Sequence, residues 1–248
     1  MLNILLNAIK IAFLLGFLIF IHESGHFLVA KLFKVKVKEF AIGFGPAIWE
    51  KQGKETKYVL RLIPLGGFVN LLGEEESSEE EGSYSKAQRW KKILILLAGG
   101  SVNLLFGLMA YFILVASIEN SLYYGFCNTV DFVGSIVESI KELFIGNVGV
   151  NELTGPVGIS EIVVQTSNLE EFIYILALIS VSLGVTNLLP FPPLDGGKIL
   201  LLLIEGIIRK PIKENVNNAI QMAGFLLIIV LAVVVTYNDV LRVFNYHI

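Results

Sequence analysis

Three stretches of this chain, residues 93–118, 172–193 and 216–238, carry no charged residue over a length that can cross a bilayer. In hydrocarbon such a segment must satisfy its backbone internally, and as a helix it needs about 20 residues to span a core of about 30 Å. A fourth apolar run, residues 5–32, carries Asn7, Lys10, Lys31 and a polar cluster in its second half. With 54% hydrophobic residues in 248, the chain is too apolar for an ordinary soluble domain. The reading is a mainly α, polytopic membrane protein with four transmembrane helices, at about 5–32, 93–118, 170–189 and 217–237. No A-x-A-like cleavage site follows the first run, so it is expected to stay as a span. The expected surroundings are the lipid bilayer, with no nucleic-acid partner.

The polar cluster is Phe20-Ile21-His22-Glu23-Ser24-Gly25-His26-Phe27-Leu28. On a helix His22 and His26 share one face one turn apart, the spacing at which two imidazoles hold one Zn2+ ion. Glu23 then lies beside the metal without having to ligate it, where a carboxylate can pass a proton from water to a leaving amine. Ionisable groups inside a span are costly and mark function by default. The single cysteine, Cys127, offers neither a disulfide nor a thiolate metal site, so His and carboxylate must hold any metal. Two His and a carboxylate in a tetrahedral hydrolytic site favour zinc over other divalent ions.

Charge distribution sets the orientation. Twelve of the nineteen Lys and Arg residues lie between Lys31 and Lys92, and Lys198, Arg209, Lys210 and Lys213 lie between the third and fourth spans. Only Lys10, Lys141 and Arg242 remain for the opposite side, so the positive side is read as cytoplasmic and both termini as outside, in the cell (inner) membrane. The metal motif sits in the half of its span nearer the cytoplasm, so a third ligand must come from similar depth. Asp131, Glu138, Glu152, Glu161 and His247 fall on the outer side, and Glu119 ends the second span there. Asp195 lies at the required level, after Asn187-Leu188-Leu189-Pro190-Phe191-Pro192-Pro193-Leu194, and the following Gly196-Gly197 permits close backbone approach. The prolines end the helix, and irregular backbone at this depth requires a protein or water-filled surround. Asn187, inside the broken end, can hydrogen-bond a substrate carbonyl, orient a ligand or simply tie two helices together.

Between the first two spans, residues 35–72 alternate as strands and are punctuated by glycines, which predicts a small curved sheet on the cytoplasmic side. Residues 73–85 read as an acidic solvated loop with no assigned chemistry. Over 130–145 an apolar stripe opposes Asp131, Glu138 and Lys141, which predicts an amphipathic helix on the outer membrane surface. The run 199–208 is too short to cross and is expected to be interfacial or re-entrant.

Several motifs in this order, HESGH in the first span, GFGP from Gly43, ETKYVLRLIPLGGFVNLLGE from Glu55, NLLPFPPLDGGK from Asn187 and TYNDVLR from Thr236, make the chain resemble the site-2 protease family of zinc intramembrane metalloproteases. Most similar is its bacterial branch of regulator-of-sigma-E-type proteases. The resemblance implies His22, His26 and Asp195 as zinc ligands, Glu23 as the catalytic acid and base, and Asn187 as a substrate contact. It also implies that residues 43–72 form a membrane-dipping β-structure that receives substrate, with Gly66 and Gly67, and Asn103 in the second span, as substrate-binding positions. The implied substrates are single-span membrane proteins or signal-peptide remnants.

Three departures stand out. Ala98-Gly99-Gly100-Ser101-Val102-Asn103 lacks the proline that the family usually has before the asparagine, and Lys198 replaces the usual arginine, losing planar bidentate bonding. About thirty-five residues stand between the second span and TGPVG where the branch normally carries one or two PDZ domains, so no PDZ domain is expected. Two other classes compete with a protease: a zinc-binding pseudoprotease or adaptor, which has no need of a general base at Glu23, and a metal transporter, which would show paired broken helices in repeated halves.

Overall fold

The computed structural model describes residues 2–74, 78–147, 149 and 153–246. In order the elements are α1 (Leu2–Leu32), β1 (Val37–Gln52), β2 (Lys57–Leu71), α2 (Arg89–Ile118), α3 (Leu122–Ile145), α4 (Pro156–Gln165), α5 (Leu169–Leu188), α6 (Asp195–Ile208) and α7 (Glu214–Tyr246). Of these, α1, α2, α5 and α7 are long and apolar enough to cross a membrane, in agreement with the four spans expected. Glu152 and His247 lie outside the described residues.

Helix α2 is the hub, packed against α1, α3, α5 and α6. Its contact with α5 is built on small residues: a Cβ on Gly100 would sit 2.9 Å from the Gly184 carbonyl, and one on Gly107 would sit 2.7 Å from that of Ala177. Without a hydrophobic drive between helices in lipid, such backbone approach supplies the packing. Leu14 and Leu18 of α1 close the other side against Val163 and Leu176. Helix α5 starts at a reciprocal cap: the Glu171 amide donates to Asn168 Oδ1 (2.8 Å) and the Ser167 amide to the Glu171 carboxylate (2.7 Å).

β1 and β2 form an antiparallel pair that curls on itself. Residues 39–42 find partners at both 67–70 and 57–60, because the strands bend at Gly43, Gly45 and Gly66, which have φ of 90°, 84° and 125°. Phe44, Ile48, Trp49 and Leu62 are each more than half exposed, an apolar surface suited to lipid. The other end of the sheet is clamped to the bundle by a core of Ala30, Val35, Val37, Leu71 and Ile95.

Two features differ from expectation. The helix expected over 130–145 begins at Leu122 and folds back along α2: a Cβ on Gly125 would meet Ala116 Cβ at 2.7 Å, and Phe132 stacks on Tyr111 at 4.2 Å. Inward contacts come from Gly125 and Phe132, whereas Val130, Val133 and Val137 of the predicted stripe are exposed. The second difference is α4, a short helix before the third span that is not among the expected elements. Pro156 at its first turn suits a position whose N–H has no helical partner.

The N-terminus of α4 is held by Asp239 of α7, whose buried carboxylate accepts from the amides of Gly158 (2.9 Å) and Gly155 (3.0 Å). Any Cβ on either glycine would press on this carboxylate. Asp239→Ala is expected to cost about 2 kcal/mol, since it leaves buried amides unpaired at a helix N-terminus. Thermal unfolding in detergent should show Tm lower by roughly 4–8 °C; an unchanged Tm would show that the cap is dispensable.

Candidate metal centre and active-site cavity

Helix periodicity brings His22 and His26 together on the face of α1 that meets α2. Both are buried, with ring centroids 4.8 Å apart and Nε2 atoms 3.1 Å apart. His26 Nδ1 lies 2.7 Å from the carbonyl of Ile95 on α2. Donating its proton there leaves the Nε2 lone pair facing His22, the arrangement by which a backbone carbonyl orients a ligating imidazole.

Asp195 is the first residue of α6. After α5 ends at Leu188, the chain turns through Pro190–Leu194, with the Leu194 amide bonded to Phe191 O and the Lys198 amide to Leu194 O. Gly196 and Gly197 pack against the carbonyl side of Leu188 and the backbone of Phe191–Pro192, where no Cβ fits. This close approach carries Asp195 Oδ2 to 3.2 Å from both imidazole Nε2 atoms. Burial alone would raise the Asp195 carboxyl, but the two imidazoles outweigh it and hold the group well below the usual carboxylate range.

Three donor atoms thus form a triangle with edges of 3.1, 3.2 and 3.2 Å. Zinc bonds of roughly 2.0–2.1 Å in a tetrahedron require edges of about 3.3 Å. The donor set fits that ion, and among the described residues it is the one His/Cys/Asp/Glu group close enough to hold a metal.

The triad opens on a cavity of about 1130 Å³ bounded by α1, the edge of β2, α6 and the start of α7. Glu23 lines it and makes no hydrogen bond among the described residues. Of the cavity's other carboxylates, Asp195 faces the imidazoles, Glu74 pairs with Lys198 at 3.0 Å, Glu205 accepts from the Ile212 amide at 2.9 Å, and Glu214 stands exposed at the start of α7. Burial opposes the charge on Lys198, yet Glu74 and Asp195 more than offset it and hold the ammonium above the usual lysine range. The acidic loop given no chemistry by sequence therefore supplies Glu74, which ties the end of β2 to the helix that starts with Asp195.

The residues singled out as substrate-binding separate in space. Gly67 lines the cavity, and a Cβ there would meet Ile19, Ala41 O and Glu23 Cγ within 3.0 Å; the far flank of residues 67–70 has no strand partner among the described residues. Asn187 also lines the cavity, its amide donating to Leu183 O of its own helix at 3.0 Å. Gly66 is the bend behind it, occupied on its open side by the Phe44 ring. Asn103 stands apart from the cavity: wholly buried, it reaches Leu18 O of α1, and its carbonyl accepts from Ser180 of α5 at 2.8 Å.

Two further glycines shape the site. A Cβ on Gly25 would lie 2.6 Å from Ala98 O, so this glycine lets α2 close on the metal motif. A Cβ on Gly99 would intrude between the two imidazoles, 2.6 Å from His26 Cε1 and 2.8 Å from His22 Cε1. The paired glycine at 99–100 within a span was the available signal for this role.

Comparison with known proteins agrees with this geometry. Residues 10–231 match Peptidase family M50. A protein named "Putative zinc metalloprotease" from Clostridium acetobutylicum is 27% identical over 326 aligned positions, covering 93% of this chain and 96% of its own. Those 326 positions exceed the 248 residues here, so that relative carries additional segments. Zinc metalloprotease RasP of Shouchella clausii is 38% identical over 131 residues, 52% of this chain and 31% of that protein. A relative from Thermotoga maritima reaches 46% over 98 residues, 38% of this chain and 20% of its own. With the family match spanning most of its length, and four helices fit to cross the bilayer, the chain belongs to peptidase family M50 and is a multi-pass membrane zinc metalloprotease.

Proposed function

We propose that this protein cleaves transmembrane segments of single-span membrane proteins or signal-peptide remnants, with His22, His26 and Asp195 holding zinc and Glu23 moving the proton. The observation that carries the reading is Asp195 Oδ2 at equal distance from two imidazole Nε2 atoms, in a cavity shared with Glu23 and an unpaired strand edge. Bound zinc supplies Lewis acidity toward the peptide carbonyl and lowers the pKa of water.

The chain's own residues do the rest. His26 is oriented by Ile95 O, and Asp195 keeps its charge between the imidazoles. Glu23 takes the proton from the attacking water and delivers it to the leaving amine. A substrate helix hides its carbonyls in internal hydrogen bonds, so it must be unwound before hydrolysis. Residues 67–70 offer main-chain groups on an open edge beside Glu23, where an extended segment can add as a further strand. Asn187 can then exchange its bond to Leu183 O for one to substrate. The cluster of Lys and Arg around this cavity supports a cytoplasmic active site with both termini outside.

Cleavage of a fluorescent single-span reporter in detergent tests the proposal. Treatment with a zinc chelator should abolish cleavage and added Zn2+ should restore it, with the scissile bond inside the apolar segment. Cleavage that survives complete removal of metal, or that falls only in loops outside the span, would overturn it.

A further inference from the structure

A second cavity, of about 350 Å³, lies between the start of α2 and the end of α6. Four cationic side chains line it, Arg89, Lys92, Arg209 and Lys210, against one carboxylate, Glu205. The balance is strongly positive. Glu205 is partly committed, one oxygen accepting from the Ile212 amide, and this bond fixes the loop after α6 that carries Arg209 and Lys210. Lys92 is steadied by donating to Ser85 O at 3.0 Å. Arg89, Arg209 and Lys210 make no hydrogen bond or ion pair among the described residues. Arg89 reaches across to α6, lying over Gly206, where a Cβ would have its Cδ and Nη1 at 3.6 Å.

Two more observations give the cavity its polarity and its level. The first turn of α2 borders it, and the N-cap residue Gln88 provides no side-chain cap, so the positive end of the helix adds to the four cations. The charge-free part of α2 begins immediately after Lys92, which puts the cavity at the edge of the hydrocarbon region. The apolar part of its lining is Ala87, Leu202 and Pro211, and the opposite face of α6 exposes Leu203 and Ile207, Ile207 to 82%. A cationic pocket at headgroup depth, open to the hydrocarbon edge and partly lined by Ala87, Leu202 and Pro211, matches an anion that carries acyl chains.

We propose that this cavity binds the headgroup of an anionic glycerophospholipid, its phosphodiester held by Arg89, Arg209 and Lys210 and its acyl chains leaving past Ala87, Leu202 and Pro211 into the adjoining hydrocarbon. The binding does not depend on the peptidase reading. It does bear on the metal centre, because Lys92, Leu202 and Glu205 line both cavities and α6 begins at Asp195. A lipid bridging α2 to the end of α6 would steady the helix that presents the carboxylate.

Calorimetric titration of the purified protein in neutral detergent tests this, with dihexanoyl phosphatidylglycerol as probe. Dihexanoyl phosphatidylcholine, glycerol phosphate and inorganic phosphate serve as the other arms. Saturable binding of phosphatidylglycerol is expected, much tighter than any of the three and weakened by salt. Arg209→Asn with Lys210→Gln should weaken it about thirtyfold, at roughly fivefold per cation. Asparagine is chosen because Arg209 has φ of 59°, a left-handed conformation that Asn tolerates. Lys213→Gln, which removes a charge outside the cavity, should bind as the wild type does. Circular dichroism and zinc content matching the wild type would show that the double variant is folded. Equal binding of the phosphatidylcholine would sink the proposal, as would full affinity in the folded double variant. Glycerol phosphate or inorganic phosphate binding as tightly as the lipid would replace it with a soluble-anion site. If the double variant fails to fold, the wild-type ranking of the four probes decides alone.

Discussion

Replacing Glu23 with Gln is expected to lower the rate of reporter cleavage by roughly 10²- to 10⁴-fold while leaving zinc bound, because general acid–base transfer contributes about that much. The amide keeps the size and hydrogen-bonding reach of the carboxylate but cannot carry the proton. Zinc should stay, since the donor triangle of His22, His26 and Asp195 closes without Glu23. Of the other cavity carboxylates, Glu74 is engaged by Lys198 and Glu205 by the Ile212 amide, while Glu214 stands exposed at the start of α7. The measurement is kcat and KM on the reporter, with zinc quantified by elemental analysis in both proteins. Loss of zinc with loss of activity would make Glu23 a structural element of the metal site. Retained activity would assign proton transfer to another group.

The groups of this site that can be read from the sequence are those whose presence in an apolar helix is costly. His22, Glu23 and His26 stand out because hydrocarbon penalises them, and Asp195 because it ends a proline-broken span at matching depth. In the structure His22 Nε2, His26 Nε2 and Asp195 Oδ2 lie 3.1–3.2 Å from one another. The four spans are legible for the same reason, as length and absence of charge decide them locally. What depends on contact between distant elements is not legible in this way. Glu74 sits in a tract whose composition reads as solvated loop, and its bond to Lys198 exists only because β2 ends opposite α6. Asn103 is polar in a span, like His22 and His26, yet its partners are a carbonyl of α1 and a serine of α5, which sequence spacing cannot show. The start of α3 at Leu122 follows from the fit of Gly125 and Phe132 onto α2, while the stripe used to predict it faces outward.

The glycines make the same point more sharply, and Gly99→Ala should have the second largest effect. Alanine is the better helix former by about 1 kcal/mol, so a purely local account expects the substitution to stabilise α2. Packing predicts the reverse. The added methyl would lie 2.6 Å from His26 Cε1 and 2.8 Å from His22 Cε1, so either α2 moves away or the imidazoles rotate. Retreat of α2 from α1 is opposed by its close packing on α5, Gly100 against the Gly184 carbonyl and Gly107 against that of Ala177. The imidazoles therefore give way, and His26 loses its bond to Ile95 O. Disturbing an orienting partner alone costs about 10- to 100-fold in metal affinity, and displacing both ligands should exceed the upper figure. Competition with a chromogenic zinc chelator measures it directly, and cleavage should fall in parallel. Gly134→Ala on α3, where no atom lies within 4 Å of the new methyl, is the control and should leave zinc affinity unchanged. Wild-type zinc affinity in Gly99→Ala would mean that α1 and α2 are not held this close around the donor triangle.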